Sequence, residues 1–310
     1  MLLASTDFIR LNINSELYSR LTNVLQELGK TYELVFVDDG SRDDSFAKLQ
    51  ELYDVDPHVR VLQFSRNFGH HLAMTAGMDA VRGEVIVMMD SDLQDQPEEI
   101  PAMFAKLEEG FDVVYGIRMN KQHSLVKRVN SAIFVWVMRR VVRGFEPNSG
   151  IFRIARRRVI DAVKQCRETN RLIVGLLSWA GFRQIGIPVQ HGKRFAGETK
   201  YTLRKQVRLA VTSILAFSDF PLRMVVYLGL LVSMSSFLFG IFVIVRKLVF
   251  GLGEVGWPSL MTAVMFLGGV QLLALGVIGQ YVSQIMTEAQ ARPMYLIATR
   301  LERDDEDCRS

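Results

Sequence analysis

The sequence predicts an α/β domain with a mainly parallel sheet, followed by an amphipathic surface helix and a two-helix transmembrane hairpin. Three observations carry that expectation. Strand-like apolar runs alternate with helical patterns through the first third of the chain, the βαβα rhythm of parallel strands joined by covering helices. Met224–Val245 and Ser259–Val282 contain no charged residue, and each exceeds the roughly 20 residues needed to cross about 30 Å of hydrocarbon. Just before them, "KQVRLAVTSILAFSDF" (Lys205–Phe220) spaces its apolar residues as a helix does, with basic residues on one flank, as in helices that lie on a membrane surface.

The elements follow in order. Residues 2–13, "LLASTDFIRLNI", have the apolar character of a weak strand, and "SELYSRLTNVLQELG" reads as a helix. "ELVFV" (Glu33–Val37) is a short buried strand that ends in "DDGS". "DDSFAKLQELYD" is a helix with a polar start, "VRVLQF" a strand, and "GHHLAMTAGMDAVRG" a helix ended by Gly83. "EVIVMM" is the next strand. "PEEIPAMFAKLEEG" is a helix with acids in its first turn and Gly110 beyond its end, and "DVVYG" is a further strand. Ligands of such sheets bind at the carboxyl ends of the strands. Asp38, Asp39, Asp90, Asp92 and Arg118 all follow strand ends and should gather on one rim.

Composition bounds the function. The 310 residues are 49% hydrophobic, with net charge +4 and a pI of about 9.1. An acidic partner fits that balance: phosphate, nucleic acid or an anionic membrane. The two cysteines, Cys166 and Cys308, form neither a metal-ligand spacing nor a disulfide framework. The stretch "MLLASTDFIR" lacks the apolar core of a signal peptide. The expected boundaries are 1–204 for the α/β domain, 205–221 for the surface helix, 222–286 for the hairpin (spans about 224–245 and 259–282) and 287–310 for a tail. The segment before the first span carries Lys193, Arg194, Lys200, Arg204, Lys205, Arg208 and Arg223 against Glu198 and Asp219, which favours the cytoplasmic side for it and for both termini. Arg246 and Lys247 in the connector argue mildly the other way. Two buried core helices, and an ordinary domain helix at Lys205–Phe220, are the competing readings.

The stretch "MMDSDLQDQPEEIP" (Met88–Pro101) holds the chemistry. Asp90 and Asp92, two apart with Ser91 between, point to one side of an extended segment, with Gln94 two further on. Oxygen donors so placed suit a hard cation such as Mg²⁺ or Mn²⁺, which completes its shell with water and substrate phosphates. The competing reading is a solvated acidic loop that caps the next helix, with Asp95 and Pro97 at its start. His70 and His71 follow Gly69 at a helix start and read as packing or polar contacts.

Together, "VDDGSRDDS", "SRNFGHHLAMTAGMDAVRGEVIVMMDSDLQDQPEEIP", "GFDVVYGIR", "RFAGETKY", "FSDFPLRM" and "FLGGVQLLALGVIGQYV…RPMY" resemble the family-2 glycosyltransferases that load sugar onto polyprenyl phosphate. These include the bactoprenol glucosyltransferases, which the two-span half resembles most, and the dolichol-phosphate mannose synthases. The resemblance runs from about Leu17 to Tyr295. It implies a GT-A type nucleotide-diphosphate-sugar domain and inversion at the anomeric carbon. The implied ligands of Mg²⁺ or Mn²⁺ are Asp92 and Gln94, with Asp90 nearby. Asp90, Asp92 and Arg118 take the catalytic positions. Val37, Asp39, Asp90, Ser91, Arg118, Arg194 and Lys200 take donor and phosphate positions, Asp39 at the nucleoside. Lys127 and Arg128, in an acid-free basic run from Arg118 to Arg143, are expected with Arg153 at the acceptor phosphate.

The expected partners are a nucleotide-diphosphate sugar, polyprenyl phosphate and the lipid bilayer of the inner membrane, with a homo-oligomer possible and no nucleic acid. The donor expected is UDP-glucose, with GDP-mannose or a UDP-aminopentose as alternatives. A processive polysaccharide synthase would carry Q-x-x-R-W, which is absent. A non-catalytic membrane scaffold is the alternative from another class. Two departures stand out: the family's first strand ends in P-x-Y-N-E, which this N-terminus lacks, and Ile151 of "PNSGIFRI" replaces a frequent acidic residue.

Overall fold

The computed structural model describes residues 2–6, 15–118, 149–169, 171–190, 220–250 and 256–303. These divide into two compact units. The first is formed by residues 1–202 together with 293–310, the second by residues 203–292.

The first unit is built on one eight-stranded sheet in the order β7-β5-β6-β4-β1-β2-β3-β8. Its strands are β1 (Leu2–Thr6), β2 (Leu34–Asp38), β3 (Val59–Phe64), β4 (Val85–Asp90), β5 (Val113–Arg118), β6 (Ser149–Arg156), β7 (Gln184–Val189) and β8 (Ile297–Leu301). Four pairings are parallel and three antiparallel, so the sheet is more mixed than the βαβα rhythm implies. The difference comes from β6, which runs against both β4 and β5, and from β8, which runs against β3.

Helices cover both faces. On one, α1 (Ser15–Glu27), α2 (Ser45–Val55) and α4 (Ile100–Glu108) supply Leu17, Leu21, Leu49, Met103 and Leu107 to a core shared with Phe36, Val61, Val87, Met89 and Ile154. On the other, α3 (His70–Ala80) lies against β1 and β2, and touches α5 (Arg157–Gln165) and α6 (Ile173–Trp179). A strand covered on both faces has no polar face to show. β2 is accordingly buried at every position, and the strands read as continuous apolar runs rather than alternating ones.

The short N-terminal strand β1 occupies the centre of the sheet. It pairs in parallel with β2 through Leu2↔Leu34 to Thr6↔Asp38, and with β4 through Leu2↔Val87 to Ser5↔Asp90. The strand order reverses here: β2 and β3 lie on one side of β1 and β4 on the other. Open α/β sheets bind ligands at such a point, outside the carboxyl ends of the strands.

The second unit contains α7 (Phe220–Phe250) and α8 (Trp257–Ala289), which pack on one another. Leu222–Phe242 and Leu260–Ala289 are long and apolar enough to cross a membrane, and none of either stretch is buried in protein. Large side chains along them lie open, Phe237 at 70% and Leu272 at 72% of full exposure. The predicted surface helix at 205–221 falls outside the described residues except for its last two positions, which open α7.

The segment after α8 is more than a tail. It returns to the first unit as β8, in register with β3 from Val61↔Leu301 to Phe64↔Ile297. The buried Arg60 fastens it. The guanidinium donates to Glu33 Oε2 at 2.6 Å and to the Ala80 carbonyl at 2.9 Å through Nη1, and to Glu302 Oε1 at 2.8 Å through Nη2. Truncating one member of a buried ion triad strands the remaining charges, at a cost of about 3–5 kcal/mol. Arg60→Ala is therefore expected to lower the unfolding free energy of the purified protein by that amount, read from the shift of its denaturant midpoint. A loss under about 1 kcal/mol would mean that backbone pairing alone holds β8.

Candidate active site

The carboxyl ends of β2, β1 and β4 bring the acidic motifs together. Asp38 closes β2 opposite Thr6, and Asp90 closes β4 opposite Ser5. Across β6, whose first residue Ser149 pairs with Ile117, β5 ends at Arg118 with its backbone opposite Val189. The rim expected from the sequence is thus assembled at backbone level. The side chain of Arg118 lies outside the described residues, as do Lys127, Arg128, Arg194 and Lys200.

The four rim carboxylates do different work. Asp38 is fully buried. Its Oδ1 accepts from the Ser41 amide at 3.2 Å and its Oδ2 from Gln63 Nε2 at 3.3 Å, which shapes the "DDGS" turn. Asp39 is also buried, and accepts from the Phe68 amide at 2.6 Å and the Gly69 amide at 2.8 Å. Its carboxylate therefore ties the loop after β2 to the loop after β3, with both oxygens directed at backbone. Gly40 permits the close approach. It has φ +68, and a Cβ there would stand 2.5 Å from the carbonyl carbon of Arg66. Val37 is fully buried within β2, so any donor contact at that position has to come through its backbone.

Asp90 and Asp92 are the half-exposed pair, with Ser91 half-exposed between them. Asp92 accepts from the Gln94 amide at 3.1 Å, a turn closed by its own side chain. Leu93, at the apex, adopts φ 57, a costly conformation for leucine. Burial of its side chain at 6% exposure offsets that strain and leaves Asp92 and Gln94 on the outer side of the turn. Asp95 is 1% exposed, facing the protein rather than the rim. His70, in the first turn of α3, brings Nε2 to 3.5 Å from Asp90 Oδ1. That contact to the rim was not visible in the sequence, where His70 is 20 positions from Asp90 and no periodicity links them.

Arg153 is 2% exposed within β6, where it pairs with Met88 and Tyr115. Its guanidinium lies 5.0 Å from the Tyr115 ring, and its Nε donates to the Gly150 carbonyl at 3.2 Å. Burial pulls its pKa down to about 10, which still leaves it cationic near neutral pH. It is a charge set inside the sheet rather than one displayed on the rim.

The donor chemistry of the Asp90–Gln94 turn suits a divalent cation. Two carboxylates and an amide offer hard oxygen ligands, as Mg²⁺ and Mn²⁺ prefer. Among the described residues no group of three or more His, Cys, Asp or Glu forms a protein cage.

Residues 11–163 match the family model for glycosyl transferase family 2. The glycosyltransferase YkcC of Bacillus subtilis (strain 168) is 40% identical over 284 residues, 91% of this chain and 88% of that protein. The bactoprenol glucosyl transferase of Shigella phage SfX is 37% identical over 270 residues, 86% of this chain and 88% of that one. Among solved structures, glucosyl-3-phosphoglycerate synthase from Mycobacterium tuberculosis in complex with phosphoglyceric acid is 15% identical, with a TM-score of 0.46 over 69% of this chain and 78% of that one. A mannosyltransferase from Pyrobaculum calidifontis in complex with GDP-Man and Mn²⁺ is 13% identical, with a TM-score of 0.47 over 69% and 62%.

Asp92→Asn keeps the size of the side chain and its Asx turn but removes the charge. The expected outcome is near-complete loss of sugar transfer with an unchanged unfolding midpoint, partly restored by raised Mn²⁺. Near-normal turnover at low metal would remove Asp92 from the metal site.

Proposed function

The chain belongs to glycosyl transferase family 2, and from that premise we propose that it transfers a hexose from a nucleotide diphosphate to polyprenyl phosphate at the cytoplasmic face of a membrane. The observation that carries the reading is the Asp90–Gln94 turn at the point where the strand order reverses, in the same chain as two membrane-length apolar helices. The relatives named bactoprenol glucosyl transferase support the acceptor class and suggest glucose, with UDP-glucose as the first donor to try. GDP-mannose and a UDP-aminopentose are the alternative donors.

In the reaction proposed, a phosphate oxygen of the acceptor attacks the anomeric carbon from the face opposite the leaving group. The bond from that carbon to the diphosphate oxygen breaks, and the sugar is inverted. A phosphate monoester is mostly ionised near neutral pH, with a second pKa around 6, so it needs no strong general base. The demand lies at the leaving group, where negative charge grows on the nucleoside diphosphate. Asp90, Asp92 and Gln94 would hold Mg²⁺ or Mn²⁺ against it, and the ion supplies Lewis-acid stabilisation of that charge. Arg118, Arg194 and Lys200 are the cations proposed to flank the phosphates. Ser91 lies between the two carboxylates of the turn. Lys127 and Arg128 are assigned to the acceptor side; Arg153, buried within β6, is not displayed there.

The membrane arrangement is proposed on chain connectivity. Residues 1–202 and 293–310 belong to one compact unit, so two spans lying between them would leave and re-enter on the same side. The basic excess before α7 supports the cytoplasm as that side. The open apolar surfaces of α7 and α8 would meet lipid, or the same helices of a second copy.

Purified full-length protein, undecaprenyl phosphate and a panel of radiolabelled nucleotide sugars test the proposal. Metal-dependent transfer of label from UDP-glucose to the lipid fraction is expected. Label from a different donor would keep the reaction and change the sugar. No label from any donor, with no metal-dependent nucleotide binding, would leave a scaffold. Arg118→Ala, Arg194→Ala and Lys200→Ala should each cost about 1.5–3 kcal/mol, roughly one to two decades in rate or affinity. Unchanged kinetics in all three would remove these cations from the site.

A further inference from the structure

The "RPMY" segment after α8 is not needed to close the edge of the sheet, since the β8 ladder begins only at Ile297. Tyr295 nevertheless sits at a defined place. Its ring stacks on Phe64, the last residue of β3, with centroids 5.1 Å apart and planes 17° from parallel. Phe64 in turn meets Phe68 edge-on at 5.5 Å, and the Arg66 guanidinium lies 4.2 Å over the Phe68 ring. The Ser65 amide donates to the Leu296 carbonyl at 3.0 Å, a second link between the same two segments.

The loop Ser65–Gly69 is thus gripped from two directions. On the rim side, Asp39 takes the amides of Phe68 and Gly69, and Gly40 lies backbone to backbone against Arg66. From the β8 segment, Tyr295 stacks on Phe64, which in turn meets Phe68 edge-on. Tyr295 is itself fixed: its hydroxyl donates to Asp79 Oδ2 at 2.8 Å, and Arg167 grips both oxygens of that carboxylate at 2.8 and 3.0 Å. Burial and the neighbouring Asp79 raise its pKa, so the phenol keeps the proton it donates. Asp79 is the last but one residue of α3, the helix whose first turn carries His70 beside Asp90.

The loop also carries the chemistry a donor needs. Arg66 is exposed at the carboxyl end of β3, next to the turn after β2. A guanidinium there suits a diphosphate, and the ring beneath it restricts its orientation.

We propose that Tyr295 is a positioning residue for the donor-binding loop Ser65–Gly69, acting through the ring stack Tyr295–Phe64–Phe68. The segment that follows the membrane spans then sets the placement of Arg66 on the rim. This rests on the reading of the rim as a nucleotide-sugar site.

The test uses full-length protein in lipid nanodiscs, with hydrogen exchange as a readout that needs no donor. Tyr295→Phe keeps the ring and drops the Asp79 bond. Tyr295→Ala drops both, and Tyr295→Leu keeps apolar bulk without a ring face. Exchange at the Phe68 and Gly69 amides should quicken roughly tenfold in the Ala and Leu variants, and stay within about twofold of the parent in the Phe variant. Amides inside β2 and β4 should be unchanged. With UDP-glucose as probe, the donor KM should rise roughly tenfold in the Ala and Leu variants while kcat stays within about twofold. Unchanged exchange at Phe68 and Gly69 in both variants would overturn the proposal. So would quickening spread evenly through β2 and β4, which marks a general loss of stability. If the parent protein does not use UDP-glucose, the donor reading fails on its own and the exchange result still decides the role of Tyr295.

Discussion

Mutual repulsion among carboxylates is the constraint around which the rim is organised. Asp38, Asp39, Asp90 and Asp92 end two strands separated only by β1, which places the two strand ends about 10 Å apart. So much like charge at the edge of a low-dielectric sheet is costly unless each group finds donors or a cation. The fold divides the four. Asp38 and Asp39 are buried and direct their oxygens at the Ser41, Phe68 and Gly69 amides and the Gln63 side chain. Asp90 and Asp92 stay half-exposed on a turn whose apex residue, Leu93, is anchored in the core. The first pair builds the rim, and the second pair is the one proposed to meet a cation.

This division explains which parts of the site were legible in the sequence. Asp90 and Asp92 could be read because a strand end followed by closely spaced acids is a local pattern. The role of Asp39 was not local. The resemblance puts it at the nucleoside; its oxygens also hold a loop some 30 positions away, through the Phe68 and Gly69 amides, where Gly40 meets Arg66. His70 was read as a polar or packing residue; its distance to Asp90 depends on how α3 lies beneath the sheet.

The fold shows the same split. Every helix and strand from α1 to β5 follows its predicted segment, because burial on both faces leaves unbroken apolar runs between turn residues. The central position of β1 could not be read from five residues with no family motif behind them. Antiparallel β6 could not be read because direction is a property of the sheet. For β8, the pairing of Leu301 with Val61 spans two intervening apolar helices, and no local signal at "IATRL" distinguishes a tail from an edge strand. Arg60 is the clearest trace. The Arg60 guanidinium within β3 is met by Glu33 and Glu302, which come from opposite ends of the chain.

The metal-binding role proposed for Asp90 and Asp92, holding a divalent cation against a diphosphate, is open to direct measurement. Electron paramagnetic resonance of Mn²⁺ with full-length protein and UDP tests it without any need for turnover. The account predicts one tightly bound Mn²⁺ per chain in the presence of UDP. Affinity should fall at least about tenfold when both residues are changed to asparagine, as expected for the loss of charged ligands. Equal Mn²⁺ affinity in the parent and the double variant would contradict it, and would leave the acidic turn as no more than the cap of the helix that follows.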